Sequence, residues 1–295
     1  MLMMGMLLAA AAAPLRLEPS GKWIVDYGSN GCLLARAYGK GADDVTLAWR
    51  VLPASDRADL LVNRRMSKDV RRRSTVTISL PPNPPQTVSF DAFSYGDEDK
   101  RRYRISVDTA IFAAVVPDAV LTIEPLHEPA LQFPVGGLAK AWSAVMECNT
   151  TLLKRWGLDP AELARVVTPA RAVGSLADWI TFDDYPAEAR KRGEFGETAI
   201  LWTIGIDGQI ETCRTVNSSG SDALDNAACD AIRRRGRYTA ARDAAGKPIR
   251  SVQTRRVDWS LPGAWIEDKE YRAYRARMAR EWQEKQRAQR DAVQP

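Results

Sequence analysis

The chain has 295 residues, of which 45% are hydrophobic and 27% charged, an ordinary composition for a soluble protein with room for two modest domains. Its formal net charge of +5 at pH 7 is small, and a charge of this size usually serves to keep a protein soluble. The chain has one histidine, and it has no GxSxG, HExxH, P-loop or GxGxxG motif in the context that such motifs need. These observations exclude the common hydrolase, zinc-protease and nucleotide-binding classes, so we expect neither an enzyme nor a bound cofactor.

The N-terminus predicts a leader that is removed on export. Residues 1–13 are apolar and alanine-rich, and they end in small residues, which is typical of a signal peptide cleaved between Ala10 and Ala13. The stretch is shorter than the about 20 residues that a membrane-spanning helix needs. We therefore assign residues 1–20 to a signal peptide, with a short N-terminal membrane segment as the alternative.

Residues 21–157 predict a β-rich domain closed by a helix. Turn residues separate the strand candidates at fairly regular spacing, which indicates a sandwich or a barrel-like sheet. A helix is predicted over Gly136–Trp156, where leucine, valine and tryptophan form a broad apolar face. No function is assigned to this domain. The strand candidates are Lys22–Tyr27, Cys32–Tyr38, Val45–Leu52, Ser74–Leu80, Thr87–Phe93, Arg102–Val107 and Ala119–Ile123.

Residues 158–178 predict a linker, because two prolines and a glycine interrupt them. Residues 179–260 then predict a small α+β domain that opens with a helix, for which Pro186 suits the first turn. Strands are predicted over Gly196–Ile206 and Gln209–Val216, and the hairpin signal Asp207-Gly208 joins them.

A second helix and a last strand complete this α+β domain. The turn Ser218-Ser219-Gly220 interrupts the second strand, and apolar residues from Leu224 to Ile232 then recur on one face of a helix. Lys247–Trp259 is the last strand. The expected fold is therefore a three-stranded antiparallel sheet with two helices.

This order of elements and motifs resembles the C-terminal domain of TonB-family energy transducers. The resemblance covers about a quarter of the chain, and no single motif is specific, whereas their shared order and spacing are. Ala241 stands where the family usually has proline. The residues that carry the resemblance are Tyr185-Pro186 with Ala189-Arg190, Gly196, Asp207-Gly208, Ser218-Ser219-Gly220, Leu224-Asp225 with Ala227-Ala228 and Ile232, Ala240-Ala241 before Asp243, and Gly246-Lys247-Pro248.

The resemblance implies a periplasmic protein that binds an outer-membrane TonB-dependent receptor. The receptor's short periplasm-facing box would add as a strand to an edge of the sheet, in energy-coupled transport across the outer membrane. The last strand is the expected acceptor because it lies at an edge, and its arginines would attract an acidic peptide. The alternative is an edge that the same arginines protect against aggregation. The expected partner-binding residues are Ile249, Arg250, Ser251, Val252, Gln253, Thr254, Arg255 and Arg256, with Tyr185 and Pro186 close to the bound receptor.

Members of this family also meet a proton-driven motor in the inner membrane through a transmembrane helix and a long proline-rich spacer. The sequence shows neither feature, since Leu80–Pro85 is only a few residues of polyproline helix. We keep the motor complex and a homodimer as further expected partners, and an inner-membrane protein facing the periplasm as the alternative location. The alternative function is a periplasmic envelope interaction protein that transmits no force.

Nucleic acid is not an expected partner. The basic runs Arg71-Arg72-Arg73 and Arg233-Arg234-Arg235 have neither aromatic platforms nor a reading helix beside them.

Four cysteines make an even number, which indicates two disulfides in an oxidising compartment. Cys213 lies in the second strand of the α+β domain, and Cys229 lies on the helix expected to cover that sheet. We therefore pair Cys213 with Cys229 and Cys32 with Cys148, one bridge in each domain. Four buried free thiols are the alternative; a zinc site is not expected, because the spacing contains no CxxC.

Residues 261–295 predict a charged amphipathic helical tail. Acidic and basic residues alternate, and one aromatic stripe recurs at steps of three and four residues. One interpretation is a helix that lies on an anionic membrane surface; the other is that the stripe packs back on the domain. The stripe consists of Tyr271, Tyr274, Met278 and Trp282.

Overall fold

The computed structural model describes residues 13–28, 30–65, 73–94, 100–112, 114–125 and 129–261. The chain divides into two compact units, residues 1–158 and residues 159–295. The apolar leader sequence up to residue 12 and the predicted helical tail after residue 261 lie outside the described residues. Within the described ranges, no helix is long and apolar enough to cross a membrane.

The first unit is a large, almost wholly antiparallel sheet with one helix against it. Its helix is α1 (Leu138–Arg155). The strands are β1 (Leu15–Arg16), β2 (Ile24–Tyr27), β3 (Cys32–Tyr38), β4 (Val45–Val51), β5 (Arg57–Arg65), β6 (Arg73–Ser79), β7 (Gln86–Ser94), β8 (Lys100–Asp108), β9 (Val120–Pro125) and β10 (Leu131–Pro134). Across the described part of this unit they form one sheet in the order β1-β10-β9-β6-β7-β8-β5-β4-β3-β2.

Residues 15–20 connect β10, near one end of the sheet of the first unit, with β3, near the other end. Leu15 donates a backbone hydrogen bond to Ala130, just before β10, and Leu17 donates one to Gln132 within β10. Three residues later the same segment pairs with β3, where Ser20 donates to Ala37. The barrel-like sheet predicted from the strand spacing is therefore closed by a short N-terminal segment. Residues 15–20, which the sequence assigns to the leader, belong to this sheet because Leu17 fills a place in its core.

Large aromatic side chains fill the interior of the first unit. Trp49 of β4 is fully buried and meets Phe112 edge-on, with 5.7 Å between ring centroids. Phe112 in turn stacks on Trp142 of α1 at 3.8 Å, which fixes the helix on the sheet. A disulfide between Cys32 on β3 and Cys148 on α1 joins the same two elements, and this confirms the predicted pairing.

The second unit is the small α+β fold that the sequence predicts. Its helices are α2 (Pro160–Leu163), α3 (Ala187–Lys191) and α4 (Asp222–Arg235). Its long strands are β12 (Gly196–Ile204), β13 (Ile210–Asn217) and β17 (Ser251–Trp259), which form an antiparallel sheet in the order β13-β12-β17. Four strands of two residues each pair outside that sheet: β11 (Arg171–Ala172) with β14 (Tyr238–Thr239), and β15 (Ala241–Arg242) with β16 (Pro248–Ile249).

Helix α4 lies on one face of the three-stranded sheet. Isoleucine and tryptophan side chains at alternate positions of β12 are fully buried beneath it, at Ile200, Trp202 and Ile204. Ile206, which the sequence predicts as the next member of this series, is instead 65% exposed, because β12 ends at Ile204 and Ile206 belongs to the hairpin turn. The disulfide between Cys213 of β13 and Cys229 of α4 fixes the helix on the sheet and confirms the second predicted pairing.

Residues 158–178 differ from the predicted linker, because most of them pack into the second unit. Strand β11 pairs with β14, and the backbone N–H groups of Val167 and Thr168 both donate to the carbonyl of Arg242. Just after this segment, Trp179 is buried and meets Tyr238 edge-on at 5.1 Å. Prolines and glycine interrupt regular structure here but still allow two-residue strands, which leave no periodic signal in the sequence.

Candidate functional site at the sheet edge

The candidate site is strand β17, which lies at an edge of the three-stranded sheet that the described residues form. Among residues 129–261 its strand partner is β12, and the nine pairs run without interruption from Gly196 opposite Trp259 to Ile204 opposite Ser251. A straight strand with a continuous register presents a regular row of backbone groups on its outer side.

The direction of the backbone groups of β17 follows from the hairpin beside β12. Gly205 donates its N–H to the carbonyl of Gln209, so its backbone groups face β13. Backbone groups of successive residues in a strand point to opposite sides. Trp202 lies three residues before Gly205, so its backbone N–H and C=O groups point toward β17 and its partner there, Gln253. The intervening residues of β17, beginning with Val252, turn their N–H and C=O groups to the outer side of the sheet.

The C-terminal end of β17 is held by aromatic packing and a buried hydrogen bond. Tyr185 is buried and meets the ring of Trp259 edge-on, and its hydroxyl donates to the carbonyl of Glu194. The indole N–H of Trp259 donates to the Thr198 hydroxyl at 3.1 Å. The strand therefore ends on a fixed anchor.

This part of the chain matches a known protein family. Residues 183–261 match the family model described as Gram-negative bacterial TonB protein C-terminal. The match begins just before Tyr185 and ends just after Trp259, so it spans the sheet, α3 and α4. The chain carries a TonB C-terminal domain. No curated protein and no solved structure matches the chain.

The folded unit around the TonB domain is larger than the family match. Residues 166–180 contribute Ala170 and Trp179 to its core, and Arg235 donates from its Nε to the carbonyl of Trp179 at 2.9 Å. Tyr238, against which Trp179 packs, donates its hydroxyl to the side chain of Gln253 in β17 at 2.8 Å. The upstream segment is thereby connected to the edge strand through one tyrosine.

Six of the eight residues predicted to form the acceptor edge lie in β17, and the other two need a correction. Ile249 lies in β16, pairs with Ala241 and is buried in the core. Arg250 lies between β16 and β17, and its guanidinium makes hydrogen bonds of 2.6 and 3.1 Å to the two carboxylate oxygens of Glu211. These bonds raise the pKa of Arg250, and they balance its charge, which the sequence-based prediction had assigned to partner attraction. Within the predicted set, the edge strand therefore begins at Ser251.

The other arginines of the strand differ in their surroundings. Arg256 lies 3.3 Å from a carboxylate oxygen of Glu197. For Arg255, the described part of the chain contains no carboxylate within ion-pair distance. Of the three arginines expected to attract an acidic peptide, Arg255 has the charge that is least balanced by its described neighbours.

The Tyr185-Pro186 motif lines an open depression of about 530 Å³ between α3 and α4. Tyr185 is also a buried core residue, so it serves the fold as well. Phe182 is 47% exposed in this depression, and the Arg190 guanidinium lies 5.9 Å from the centroid of its ring. The acid groups Asp183 and Asp230 also line it, so its charge is mixed.

A buried polar network that the sequence interpretation missed connects the strand-to-helix turn with the sheet. Asp225 is buried and accepts hydrogen bonds from the Thr198 hydroxyl at 2.7 Å and from the Ser219 N–H and hydroxyl at 2.9 and 2.8 Å. The motifs Ser218-Ser219-Gly220 and Leu224-Asp225 are therefore parts of one structure. Their signal in the sequence was a serine turn followed by an acid in the first turn of a helix.

Asp184 gives this side of the domain a strong ionic contact. Its carboxylate is 4% exposed and bridges the guanidinium groups of Arg234 and Arg235 at the end of α4. Burial alone would raise the pKa of Asp184, but the hydrogen bonds from Arg235 and from the Thr181 N–H, together with the two arginine charges, lower it below its ordinary value. In the described ranges of the chain, no group of three or more His, Cys, Asp or Glu side chains could hold a metal ion.

Proposed function

We propose that this protein acts in the periplasm and binds an outer-membrane TonB-dependent receptor through its TonB domain. The receptor's box peptide adds as a further strand along β17, in energy-coupled transport across the outer membrane. The observation that carries the proposal is the nine-pair register between β12 and the edge strand β17, which has no shift along its length. The inner-membrane motor and a homodimer, also expected from the resemblance, stay predictions.

The chemistry of strand addition suits the side chains of β17. The strand carries serine, valine, glutamine and threonine, which accept many neighbours without selecting among them. Main-chain hydrogen bonds would therefore supply most of the affinity, and selectivity would come from the charge of Arg255. An acidic residue in the box peptide opposite Arg255 would make binding weaker as salt is raised.

The test replaces one outward-facing backbone donor. Val252→Pro removes an N–H on the outer side of β17 and leaves the bonds between Gln253 and β12 in place. Val252→Ala is the matched control, because it shortens the same side chain and keeps the N–H. We expect synthetic box peptides of TonB-dependent receptors to bind Val252→Pro at least about tenfold more weakly than wild type, and Val252→Ala within about threefold.

Circular dichroism and thermal unfolding of both variants report whether the fold is retained. Binding by a folded Val252→Pro variant that equals wild type would show that β17 is not the acceptor. Failure of every box peptide to bind the wild-type chain would reject the receptor as partner.

A further inference from the structure

The three-stranded sheet has a second edge, β13, and it differs from β17 in two independent ways. Strand addition at both edges would let one domain bind two peptides, or let copies of the chain polymerise edge to edge. An acceptor that takes one partner needs one edge open and the other closed. The structural differences between β13 and β17 bear on this requirement.

The first difference is the register. Along β13 the pairing with β12 shifts twice, between Ala199 and Ile200 and between Thr203 and Ile204. At these shifts Val216 and Glu211 are the extra residues on β13, which makes each a β-bulge. Bulges twist an edge strand and break the even row of backbone groups that an added strand needs. The pairing of β17 with β12 has no such shift.

The second difference is a side chain that occupies a backbone acceptor on β13. The Arg233 guanidinium of α4 donates to the carbonyl of Cys213 at 2.7 Å. Trp202 turns its backbone groups toward β17, so its partner Cys213 turns its own groups away from β12, to the outer side of the sheet. Arg233 thus bonds a carbonyl that an added strand would have to use.

Arg233 is held in this position by two neighbours. Its other terminal nitrogen lies 3.2 Å from a carboxylate oxygen of Asp230. The disulfide from Cys229, one helical turn earlier on α4, ends on Cys213 itself. The arginine and the carbonyl are therefore kept together by the fold, although the Arg233 side chain is 49% exposed.

We propose that Arg233 closes the β13 edge, so that the TonB domain accepts a single added strand, and only along β17. This inference rests on strand addition as the proposed mode of binding. It assigns a role to Arg233, a member of the basic run at the end of α4 for which the sequence predicts no partner.

The test uses the full chain with both disulfides formed and a blocked seven-residue peptide of alternating threonine and valine as the strand probe. Arg233→Met removes the donors and keeps an apolar stem of similar length. Arg237→Met is the matched control, because it removes the same charge from an exposed arginine whose guanidinium donates to the carbonyl of its chain neighbour Gly236. Backbone amide chemical shifts are followed during titration with the peptide.

In wild type and Arg237→Met we expect shift changes along β17 and less than about a tenth of that size along β13. In Arg233→Met we expect changes along both strands, and a stoichiometry that rises from one peptide to two. An unperturbed β13 in Arg233→Met would overturn the role of Arg233, and so would a wild-type β13 that responds as strongly as β17.

A failure of the proposed function looks different. In that case the peptide changes no amide chemical shift along β17 in any variant, regardless of the response of β13. Arg233→Gln, which keeps neutral donors, is expected to leave β13 closed, and it provides the comparison if Arg233→Met loses the dispersed spectrum of a folded chain.

Discussion

The ring of Tyr185 meets the indole of Trp259 edge-on, with 5.4 Å between the ring centroids and an interplanar angle of 81°. This contact joins the motif before α3 to the last residue of the edge strand. An edge-to-face pair of buried rings stabilises both partners beyond the area they bury. The end of β17 therefore depends on a residue far from it in sequence.

We predict that Tyr185→Ala destabilises the TonB domain by about 3 kcal/mol and loosens the C-terminal half of β17, because a buried aromatic ring is lost. Tyr185→Phe keeps the ring and loses only the hydrogen bond to Glu194, so we expect a cost of about 1 kcal/mol. Hydrogen exchange of β17 amides measures both effects. Unchanged protection in Tyr185→Ala would contradict the anchoring role.

Asp225 is expected to be the most sensitive polar residue of the domain. Asp225→Ala leaves the donors of Thr198 and Ser219 without their acceptor in a buried place, and we expect a loss of about 3 kcal/mol in the free energy of unfolding. Asp225→Asn retains one acceptor oxygen and should cost less. Urea unfolding followed by the fluorescence of the domain's tryptophans compares them; equal stability of the alanine variant and wild type would refute the network.

The contact of Asp184 with Arg234 and Arg235 predicts a pH dependence. Because the folded-state pKa of Asp184 lies below its unfolded value, its contribution to stability is complete above the unfolded pKa and disappears as pH falls through the lowered folded pKa. We expect Asp184→Asn to cost about 1–2 kcal/mol at pH 7, a figure reduced because both arginines are partly exposed to solvent. The difference from wild type should shrink toward zero in strongly acidic solution. A difference that stays constant with pH would contradict the ionic origin.

The two disulfides are expected to stabilise their own units by different amounts. In the chain-entropy account, removing Cys213–Cys229, with a sequence separation of 16, costs about 3 kcal/mol, and removing Cys32–Cys148, with a separation of 116, costs nearer 5 kcal/mol. Paired cysteine-to-alanine variants followed by hydrogen exchange would assign each loss to one unit. Equal losses for the short and the long loop would argue against an entropic origin.

Trp179 tests whether the segment before the family match belongs to the fold. Trp179→Ala removes a buried ring from its contact with Tyr238 and should cost about 3 kcal/mol, with loss of protection over β11 and β14. Val173→Ala is the control, because Val173 is 57% exposed and its change should cost less than about 0.5 kcal/mol. If both variants behave alike, the segment is a linker after all.

The TonB domain was predictable because its signals are local. Alternating apolar residues along β12, the Asp207-Gly208 hairpin and the apolar face of α4 each depend on a few neighbouring residues, and the structure has all three. The placement of Cys213 and Cys229 on facing elements followed from the same patterns. The hydrogen bond from the Arg233 guanidinium to the Cys213 carbonyl joins residues on two different elements, and no local sequence pattern predicts such a contact.

The first unit was less predictable for identifiable reasons. Strand β5 is buried on both faces at its centre and charged at its ends, so it lacks the alternation that reveals a strand. Strand β1 has only two residues, too few for a sequence pattern, and it pairs with β10, which lies more than a hundred residues later in the chain. Ile249 and Arg250 looked like the start of the last strand because β16 and β17 are separated by a single residue.

The two bridges connect the cysteines in the order in which they occur, the first with the second and the third with the fourth. A ribosome releases Cys148 before Cys213 exists, so an oxidant that joins each new thiol to the one already waiting produces the native pattern. We therefore expect oxidation in the order of synthesis to give the native pairing without a disulfide isomerase. The first unit would then acquire its bridge before the cysteines of the second unit become available.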